Sequence, residues 1–209
     1  MGYKVLVICG SPRRSGCTNR ALEEVCRTLN DSGVETEWIR IGREDAHGCL
    51  ACGYCRKNGR CVFDDGVNEA ARLLQEADGL LIGSPVYYGS PNGALLGFLD
   101  RLFHGTSFSK QLKVGAAVVS CRRGGNTASF DVLNKYFTIS GMAVASSTYW
   151  NQVHGFSAED VEKDLEGLQT MRNLGRNMAF LIKAIAARKE LEGLPPVETE
   201  YFTSFPDGK

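Results

Sequence analysis

The stretch YKVLVICGSPRRSGCTN, from Tyr3 to Asn19, sets the architecture of this chain of 209 residues. It opens with a continuous apolar run, which is typical of a strand buried on both faces of a parallel sheet. A short polar loop follows, and from Thr18 to Gly33 the apolar residues recur at helical spacing. A buried strand, a tight loop and an amphipathic helix in this order predict the first unit of an α/β fold.

The same alternation continues along the chain. Further strands are predicted at Glu35–Ile41, Leu80–Ser84, Lys113–Cys121 and Ala143–Trp150. Helices are predicted at 66–79, at 91–105 with Pro91 in the first turn, and at 126–141. Five strands alternating with helices predict a doubly wound parallel sheet with helices on both faces, in a single domain spanning 1–209. The loops that follow the strands then meet at the carboxyl edge of the sheet, where such folds bind ligands.

The C-terminal region, 157–209, is predicted to be a long helix followed by a tail. Ser157 and Asp160 have the spacing of a capping box, and an apolar stripe continues to about residue 191. Such a helix is longer than a small domain is wide, so we expect a bend at Gly167 or Gly175, or an end that packs on another subunit. The tail, VETEYFTSFPDGK, predicts no regular element; a strap on its own domain and an arm across a dimer both remain open.

Composition excludes several classes of function. The formal net charge is zero and the longest basic block has two residues, which disfavours a nucleic-acid partner. No apolar run is long enough to cross a membrane. The N-terminal apolar run is short and precedes its basic residues, the reverse of a signal peptide, so we expect a cytoplasmic protein. In that reducing compartment the 8 cysteines are expected to be thiols or metal ligands rather than disulfides.

The loop GSPRRSGCTN, Gly10 to Asn19, has the composition of a phosphate site. Backbone N–H groups at a helix N-terminus, together with the helix dipole, attract anions. The loop adds the hydroxyls of Ser11, Ser15 and Thr18 and the guanidinium of Arg13. It matches neither the dinucleotide fingerprint nor the P-loop, and a plain capped helix is the alternative.

Two later loops at the same edge suit a flat ring. GSPVYYGSPNG, Gly83 to Gly93, carries two adjacent tyrosines, and SCRRGGN, Ser120 to Asn126, carries paired arginines and paired glycines. Glycines allow close backbone approach to a ligand. The alternatives are tyrosines packed on a helix and a plain turn with solvated arginines. A phosphate at the first loop and an aromatic ring at the other two describe flavin mononucleotide (FMN).

These three motifs in this order resemble the flavodoxin-like NADPH-dependent FMN reductase superfamily, over about residues 3–155. The resemblance implies strand order 2-1-3-4-5 in a three-layer α/β/α fold. It implies FMN contacts from Ser11, Arg13, Ser15, Cys17, Thr18 and Asn19 at the phosphate, Pro85, Val86, Tyr87, Tyr88 and Gly89 at the ring, and Ser120, Arg122, Arg123, Gly124 and Gly125 at its other edge. Many relatives have GNT where this chain has Gly16-Cys17-Thr18; a cysteine side chain is a poor donor, but its backbone N–H remains.

The segment 48–65 contains half of the cysteines, with the spacing C-x2-C-x2-C-x5-C. The first three thiolates at this spacing can converge on one cuboidal cluster, whereas zinc sites more often use two separated C-x2-C pairs. The segment resembles the compact motif of the iron–sulfur flavoproteins, a branch of the same superfamily. That resemblance implies a [4Fe-4S] cluster on Cys49, Cys52, Cys55 and Cys61; free or weakly metal-binding thiols are the alternative. Cys9, Cys26 and Cys121 are interpreted as small buried residues.

The resemblance implies an oxidoreductase that moves electrons from NAD(P)H, or from a ferredoxin-like donor, through FMN to a small-molecule or redox-protein acceptor. Hydride transfer to a flavin requires no acid–base residue, so no catalytic side chain is assigned. Trp150, Asn151 and His154 are candidates for lining a substrate pocket, and core packing is the alternative for Trp150. A homodimer or homotetramer is expected. A flavodoxin-type electron carrier and a redox or metal sensor built on the cysteine loop remain alternatives.

Overall fold

The computed structural model describes residues 2–41, 45–201 and Thr203, and it shows strands and helices in alternation. The strands are β1 Tyr3–Cys9, β2 Val34–Arg40, β3 Gly79–Tyr87, β4 Ser90–Pro91, β5 Val114–Cys121, β6 Ala143–Val144 and β7 Gln152–His154. The helices are α1 Cys17–Asp31, α2 Tyr54–Asn58, α3 Gly66–Glu76, α4 Gly93–Gly105, α5 Asn126–Ile139, α6 Ala158–Val161 and α7 Leu165–Glu192. Among the described residues, no helix combines the length and the apolar character that a membrane span needs.

The main sheet is parallel and runs in the order β2-β1-β3-β5-β6, with β7 also paired to β5. Alternate residues of β1 enter two hydrophobic clusters, one shared with α1 and α7 and the other with α3, α4 and α5. The inner strands β1, β3 and β5 are therefore buried on both faces, which explains why their sequences are continuous apolar runs. The predicted doubly wound α/β fold is confirmed, with helices on both faces of the sheet.

The predicted count of five strands is wrong in two places. Ala143–Trp150 is not one strand: β6 and β7 pair with the two ends of β5, and a loop from Ala145 to Asn151 separates them. In that loop Asn177 of α7 donates to the carbonyl of Ser146 at 2.8 Å, which gives this polar backbone a side-chain partner outside the sheet. The extra strand, β4, turns back antiparallel on the end of β3 and contains Pro91, which therefore precedes α4 instead of lying in its first turn.

The predicted C-terminal helix is also interrupted. The capping box of Ser157 and Asp160 is present, but it begins only the short helix α6. The chain then restarts at Asp164, whose side chain accepts the N–H of Gly167 at 2.9 Å and caps α7. Gly175 lies where α7 crosses α1, and a Cβ there would be 2.7 Å from the Cβ of Thr28. This glycine allows close helix packing.

The tail is described only in part. Gln111 donates to the carbonyl of Pro195 at 2.7 Å, which fastens the segment just before the tail to its own chain. The side chain of Tyr201 is exposed. The other two aromatic residues of the tail, Phe202 and Phe205, lie outside the described residues, so the choice between a strap and an arm stays open.

A buried carboxylate joins α1 to α7. Glu24 is 2% exposed, and its side chain pairs with three arginines, Arg20 at 3.0 Å, Arg27 at 2.6 Å and Arg172 at 2.8 Å. Burial by itself raises the pKa of Glu24, but hydrogen bonds from the three arginines bring it below its ordinary value. The ionised form is therefore the one that stabilises the fold.

We expect the Glu24→Gln variant to lose about 2 kcal/mol of unfolding free energy near neutral pH. Because the pKa of Glu24 is lowered in the folded chain, its contribution is present above the ordinary carboxyl pKa and is lost as the pH falls through the folded-state pKa. The difference between variant and wild type should therefore shrink in acid. Urea unfolding at about pH 7 and about pH 3.5 measures both effects.

Glu162 provides a matched control, because it also pairs with Arg20 but its side chain is 55% exposed. Glu162→Gln should change the stability much less, since exposed ion pairs are screened by solvent. Equal effects of the two substitutions would contradict the assignment of the stabilisation to the buried carboxylate.

Candidate functional site

Three loops follow β1, β3 and β5 and lie side by side at the carboxyl edge of the sheet. The N–H of Gly10, in the first loop, donates to the carbonyl of Gly83 in the second loop at 2.8 Å. The side chain of Asn92, also in the second loop, donates to the carbonyl of Gly10 at 2.6 Å. These bonds join the first loop to the second. A Cβ on Gly125 would lie 2.7 Å from the Cα of Gly89, so the second and third loops are in backbone contact. The predicted convergence of the three motifs is present.

The first loop ends at the start of α1, and in the part of the chain that the structure describes no side chain caps this helix. The N-cap of α1 is Gly16, in extended conformation, and the first turn contains no acidic residue. The amides of that turn are thus left for an external partner, and the helix dipole favours an anion. Arg13 and Ser15 are exposed, while the hydroxyl of Ser11 accepts the backbone N–H of Arg13 at 3.2 Å.

Two of the predicted phosphate residues point their side chains into the protein. The hydroxyl of Thr18 is buried against that of Ser120, with the two oxygens 2.7 Å apart. The side-chain amide of Asn19 donates a hydrogen bond to the carboxylate of Glu23 and accepts one from the guanidinium of Arg40. Both residues belong to the first turn of α1, so their backbone N–H groups are what they offer at this edge.

The thiol of Cys17 lies in a further contact at this edge. It donates to the carbonyls of Ser157 at 3.2 Å and Gly155 at 3.4 Å, which joins the start of α1 to the segment after β7. Burial raises the pKa of this thiol. It is therefore held as a neutral donor.

The second loop is a tight hairpin between β3 and β4. Tyr87 pairs with Ser90, so Tyr88 and Gly89 form a two-residue turn, and both have positive φ, 51° and 78°. Tyr88 is fully exposed and Tyr87 is 43% exposed, so neither tyrosine is packed in the core. Pro85 and Val86 are half-buried at the base of the hairpin.

The third loop presents charge and a second uncapped helix. Arg122, Arg123 and Gly124 are exposed, and Ser120 is buried at the end of β5. The N-cap of α5 is Gly125, with φ of 87°, and its first turn contains no acidic residue. No side chain of the described residues caps this helix either. Two helices therefore begin at this edge with amides available to a ligand. This arrangement fits the anionic and hydrogen-bonding groups of FMN.

The four cysteines of the segment 48–65 line one pocket. Its other walls include Phe63, Arg101 and His104. Cys49 and Cys52 are exposed, whereas Cys55, on the short helix α2, and Cys61 are half-buried. Among the residues that the structure describes, no three His, Cys, Asp or Glu side chains are already arranged to hold a metal ion. The donor set, four thiols on one pocket, fits an iron–sulfur cluster in its chemistry.

The remaining thiols are sheltered. Cys9, Cys26 and Cys121 are buried, which confirms their interpretation as small core residues, and burial raises the pKa of Cys26 to about 12.

The residues proposed for a substrate pocket separate into different environments. Trp150 is about half exposed beside Tyr149, with ring centroids 5.0 Å apart, whereas Asn151 is buried. The Nε2 atom of His154 lies 3.3 Å from the side-chain nitrogen of Asn126, at the start of α5. Its backbone N–H donates to Asp164 at 2.7 Å. Trp150 and His154 line one open pocket, together with Tyr149, Gln152 and Asp164.

Sequence reasoning missed two residues that organise these loops. Asn92 joins the first two loops, and its signal was its position as an N-cap before an apolar helix. Arg101 is buried beside the cysteine pocket. The sequence did contain an indication of this role: Arg101 is a charged residue within the apolar stripe of α4, three residues after Phe98 and one before Leu102.

Comparison with known proteins agrees with this geometry. A family model described as NADPH-dependent FMN reductase matches residues 3–156. An iron–sulfur flavoprotein of Methanocaldococcus jannaschii is 33% identical over 190 residues, covering 87% of this chain and 98% of the relative. An iron–sulfur flavoprotein of Methanosarcina thermophila is 28% identical over 191 residues, covering 90% and 99%.

The fold has known counterparts as well. A solved archaeal flavodoxin superposes with a TM-score of 0.59 at 18% identity, covering 86% of this chain and 99% of the flavodoxin. The fold is thus flavodoxin-like, as the motifs predicted. Taken with the family match over most of the chain and the full-length similarity to curated relatives, this places the chain in the NADPH-dependent FMN reductase family, within its iron–sulfur flavoprotein branch.

Proposed function

We propose that this protein is an FMN-dependent oxidoreductase that takes electrons from NAD(P)H or a ferredoxin-like donor and delivers them to a small-molecule or redox-protein acceptor. The observation that carries the proposal is the meeting of two uncapped helix N-termini with the hairpin 85–89 at one edge of the sheet. Family membership supports the same assignment. The cytoplasmic location expected from the sequence is part of this proposal.

In this proposal the first loop holds the FMN phosphate. The amides of Cys17, Thr18 and Asn19 would donate to it, and the exposed side chains of Arg13 and Ser15 would close over it. Thr18 and Asn19 act through their backbones, since their side chains are bonded elsewhere. The hydroxyl of Ser11 donates to the carbonyl of Arg13 at 3.3 Å, and it would have to exchange this bond for one to the phosphate, while it could keep accepting the N–H of Arg13.

The other two loops would position the flavin ring. Tyr87 and Tyr88 offer exposed aromatic faces, and the contact between Gly89 and Gly125 fixes the spacing of the two loops. The first amides of α5 and the exposed Arg122 and Arg123 would stabilise negative charge on the reduced ring. Bound FMN supplies the chemistry that accepts a hydride or single electrons.

The cysteine pocket would hold a [4Fe-4S] cluster through Cys49, Cys52, Cys55 and Cys61. Such a cluster supplies one-electron transfer when bound. The side chains of Arg56, Lys57 and Arg60, in the same segment, would balance part of its negative charge.

An absorption spectrum of protein purified without oxygen tests the proposal, combined with assays of iron and acid-labile sulfide. We expect the yellow flavin absorption, loss of that absorption on addition of NADPH, and iron with sulfide in equal amounts. A colourless chain that does not take up added FMN would contradict the flavin site. Flavin that NADPH does not reduce would favour the electron-carrier alternative, and flavin without iron after reconstitution would remove the cluster.

The homodimer or homotetramer expected from the resemblance stays a prediction. Light scattering during size-exclusion chromatography measures the mass directly, against 22.8 kDa for one chain.

A further inference from the structure

Arg101 of α4 is a cation in the protein interior. The residue is 2% exposed, and it lines the pocket that contains the four cysteines. Its guanidinium pairs with Asp65 at 2.6 Å, donates to the carbonyl of Asp45 at 2.8 Å and lies 3.8 Å from the sulfur of Cys61. A buried arginine is costly unless its surroundings use both its charge and its donors.

The partners of Arg101 are the two ends of the cysteine loop. Asp45 precedes the loop and Asp65 ends it, so one guanidinium holds both ends. The same closure is reinforced by the side chain of Asp45, which accepts the N–H of Gly66 at 2.8 Å. Asp65 uses its second oxygen to cap α3, accepting the N–H of Val67 at 3.1 Å. The loop base is thereby fixed to two helices.

Further contacts orient the guanidinium towards the pocket. It lies over the ring of Phe63 at 5.2 Å, and His47 stacks on the same ring at 4.6 Å. Asn68 holds only the backbone of Cys61, by accepting its N–H at 2.9 Å, whereas Arg101 contacts its sulfur. Within the described residues, the Nε atom of Arg101 is buried without a hydrogen-bond partner. The guanidinium of Arg101 therefore has an N–H donor in addition to those in its ion pair, and it lies beside cysteine sulfurs that would be anionic as metal ligands.

We propose that Arg101 is a positioning residue for the metal site: it closes the base of the cysteine loop and donates an N–H to the sulfur of Cys61, which sets the fourth ligand in place. This inference rests on the proposed cluster and names the group that prepares its site. Hydrogen bonds from outside the ligand set orient ligands and tune the metal. The planar guanidinium of arginine can reach three acceptors at once in a fixed geometry, which the ammonium of a flexible lysine side chain does not reproduce.

The test compares Arg101→Met and Arg101→Lys with the wild type and with Arg72→Met as a control. Arg72 lies on α3 and forms only exposed ion pairs with Glu69 and Glu76 among the described residues. In FMN-loaded protein without a cluster, hydrogen exchange in the peptide 61–67 should be about tenfold faster in Arg101→Met and unchanged in Arg72→Met. The FMN content of each variant reports whether the sheet is intact.

Anaerobic reconstitution gives the second measurement. Arg101→Met should hold less than half of the wild-type iron, and Arg101→Lys should hold iron with a lower midpoint potential and an altered electron paramagnetic resonance spectrum. If Arg101 only stabilised the fold, a variant with its full iron content would have the midpoint potential of the wild type. If Arg101→Met does not fold, Asp65→Asn replaces it, because asparagine still caps α3 but no longer pairs with the guanidinium.

Unchanged exchange at 61–67, or wild-type iron content and spectrum in both Arg101 variants, would overturn the proposal. Failure of the cluster itself is recognised separately, because the wild type would then bind no iron. In that case the exchange measurement alone decides whether Arg101 closes the loop.

Discussion

In the Cys52→Ser variant, iron after anaerobic reconstitution is expected to fall from about four atoms per chain to less than about one. Serine is a poor ligand for iron because its hydroxyl stays protonated, whereas a thiolate binds iron readily. Cys52 is exposed, so the substitution leaves the core packing intact. FMN content should therefore equal that of the wild type, since the three flavin loops lie on other segments. Iron assay and flavin absorbance on the same sample check both expectations.

Cys26→Ala is the matched control for this result. Cys26 is buried on α1 in the core, and its removal should leave the iron content unchanged. Wild-type iron in Cys52→Ser would argue that the loop does not bind a cluster. A variant that keeps full turnover but loses its response to a partner would instead favour the sensor alternative.

The Gly125→Ala variant is expected to bind FMN about tenfold to a hundredfold more weakly than the wild type. Gly125 has φ of 87°, which is strained for alanine, and the added methyl group would lie 2.7 Å from the Cα of Gly89 and 2.9 Å from Val86. The methyl group must push the second and third loops apart. Titration of the flavin-free chain with FMN, followed by flavin fluorescence, measures the change.

Gly124→Ala separates this clash from the mere presence of a methyl group. A Cβ at 124 meets no atom within 4 Å, so its effect should be at most a few-fold. Equal weakening by both substitutions would show that the contact between the two loops does not govern FMN binding. The melting temperature of each variant identifies any general loss of stability.

Local sequence patterns were sufficient to predict most of the sheet. β1, β3 and β5 are apolar runs because both their faces are covered, and that local signal survives in the structure. The strand at 143–150 was predicted wrongly for a non-local reason. Its polar residues bond to the distant helix α7, as Ser146 does to Asn177, and no local pattern carries that information.

The site was predictable in place and less so in detail. Parallel strands bring their following loops to one edge, so the three motifs had to meet. The inward orientation of Thr18 and Asn19 depends on Ser120 and Arg40, which are remote in sequence, and spacing within one loop cannot reveal it. Likewise the role of Arg101 depends on segments 36 and 56 residues earlier in the chain.

The joined ends of the cysteine loop make this segment a target for protein engineering. Asp45 and Gly66 are hydrogen-bonded to each other, so the twenty residues between them leave and re-enter the scaffold at a single point. We therefore expect that this segment can be removed as one piece. Excising it, rejoining the chain with a short turn and replacing Arg101 by a neutral residue should leave a flavin protein without the metal centre, and the reverse graft offers a route for installing one.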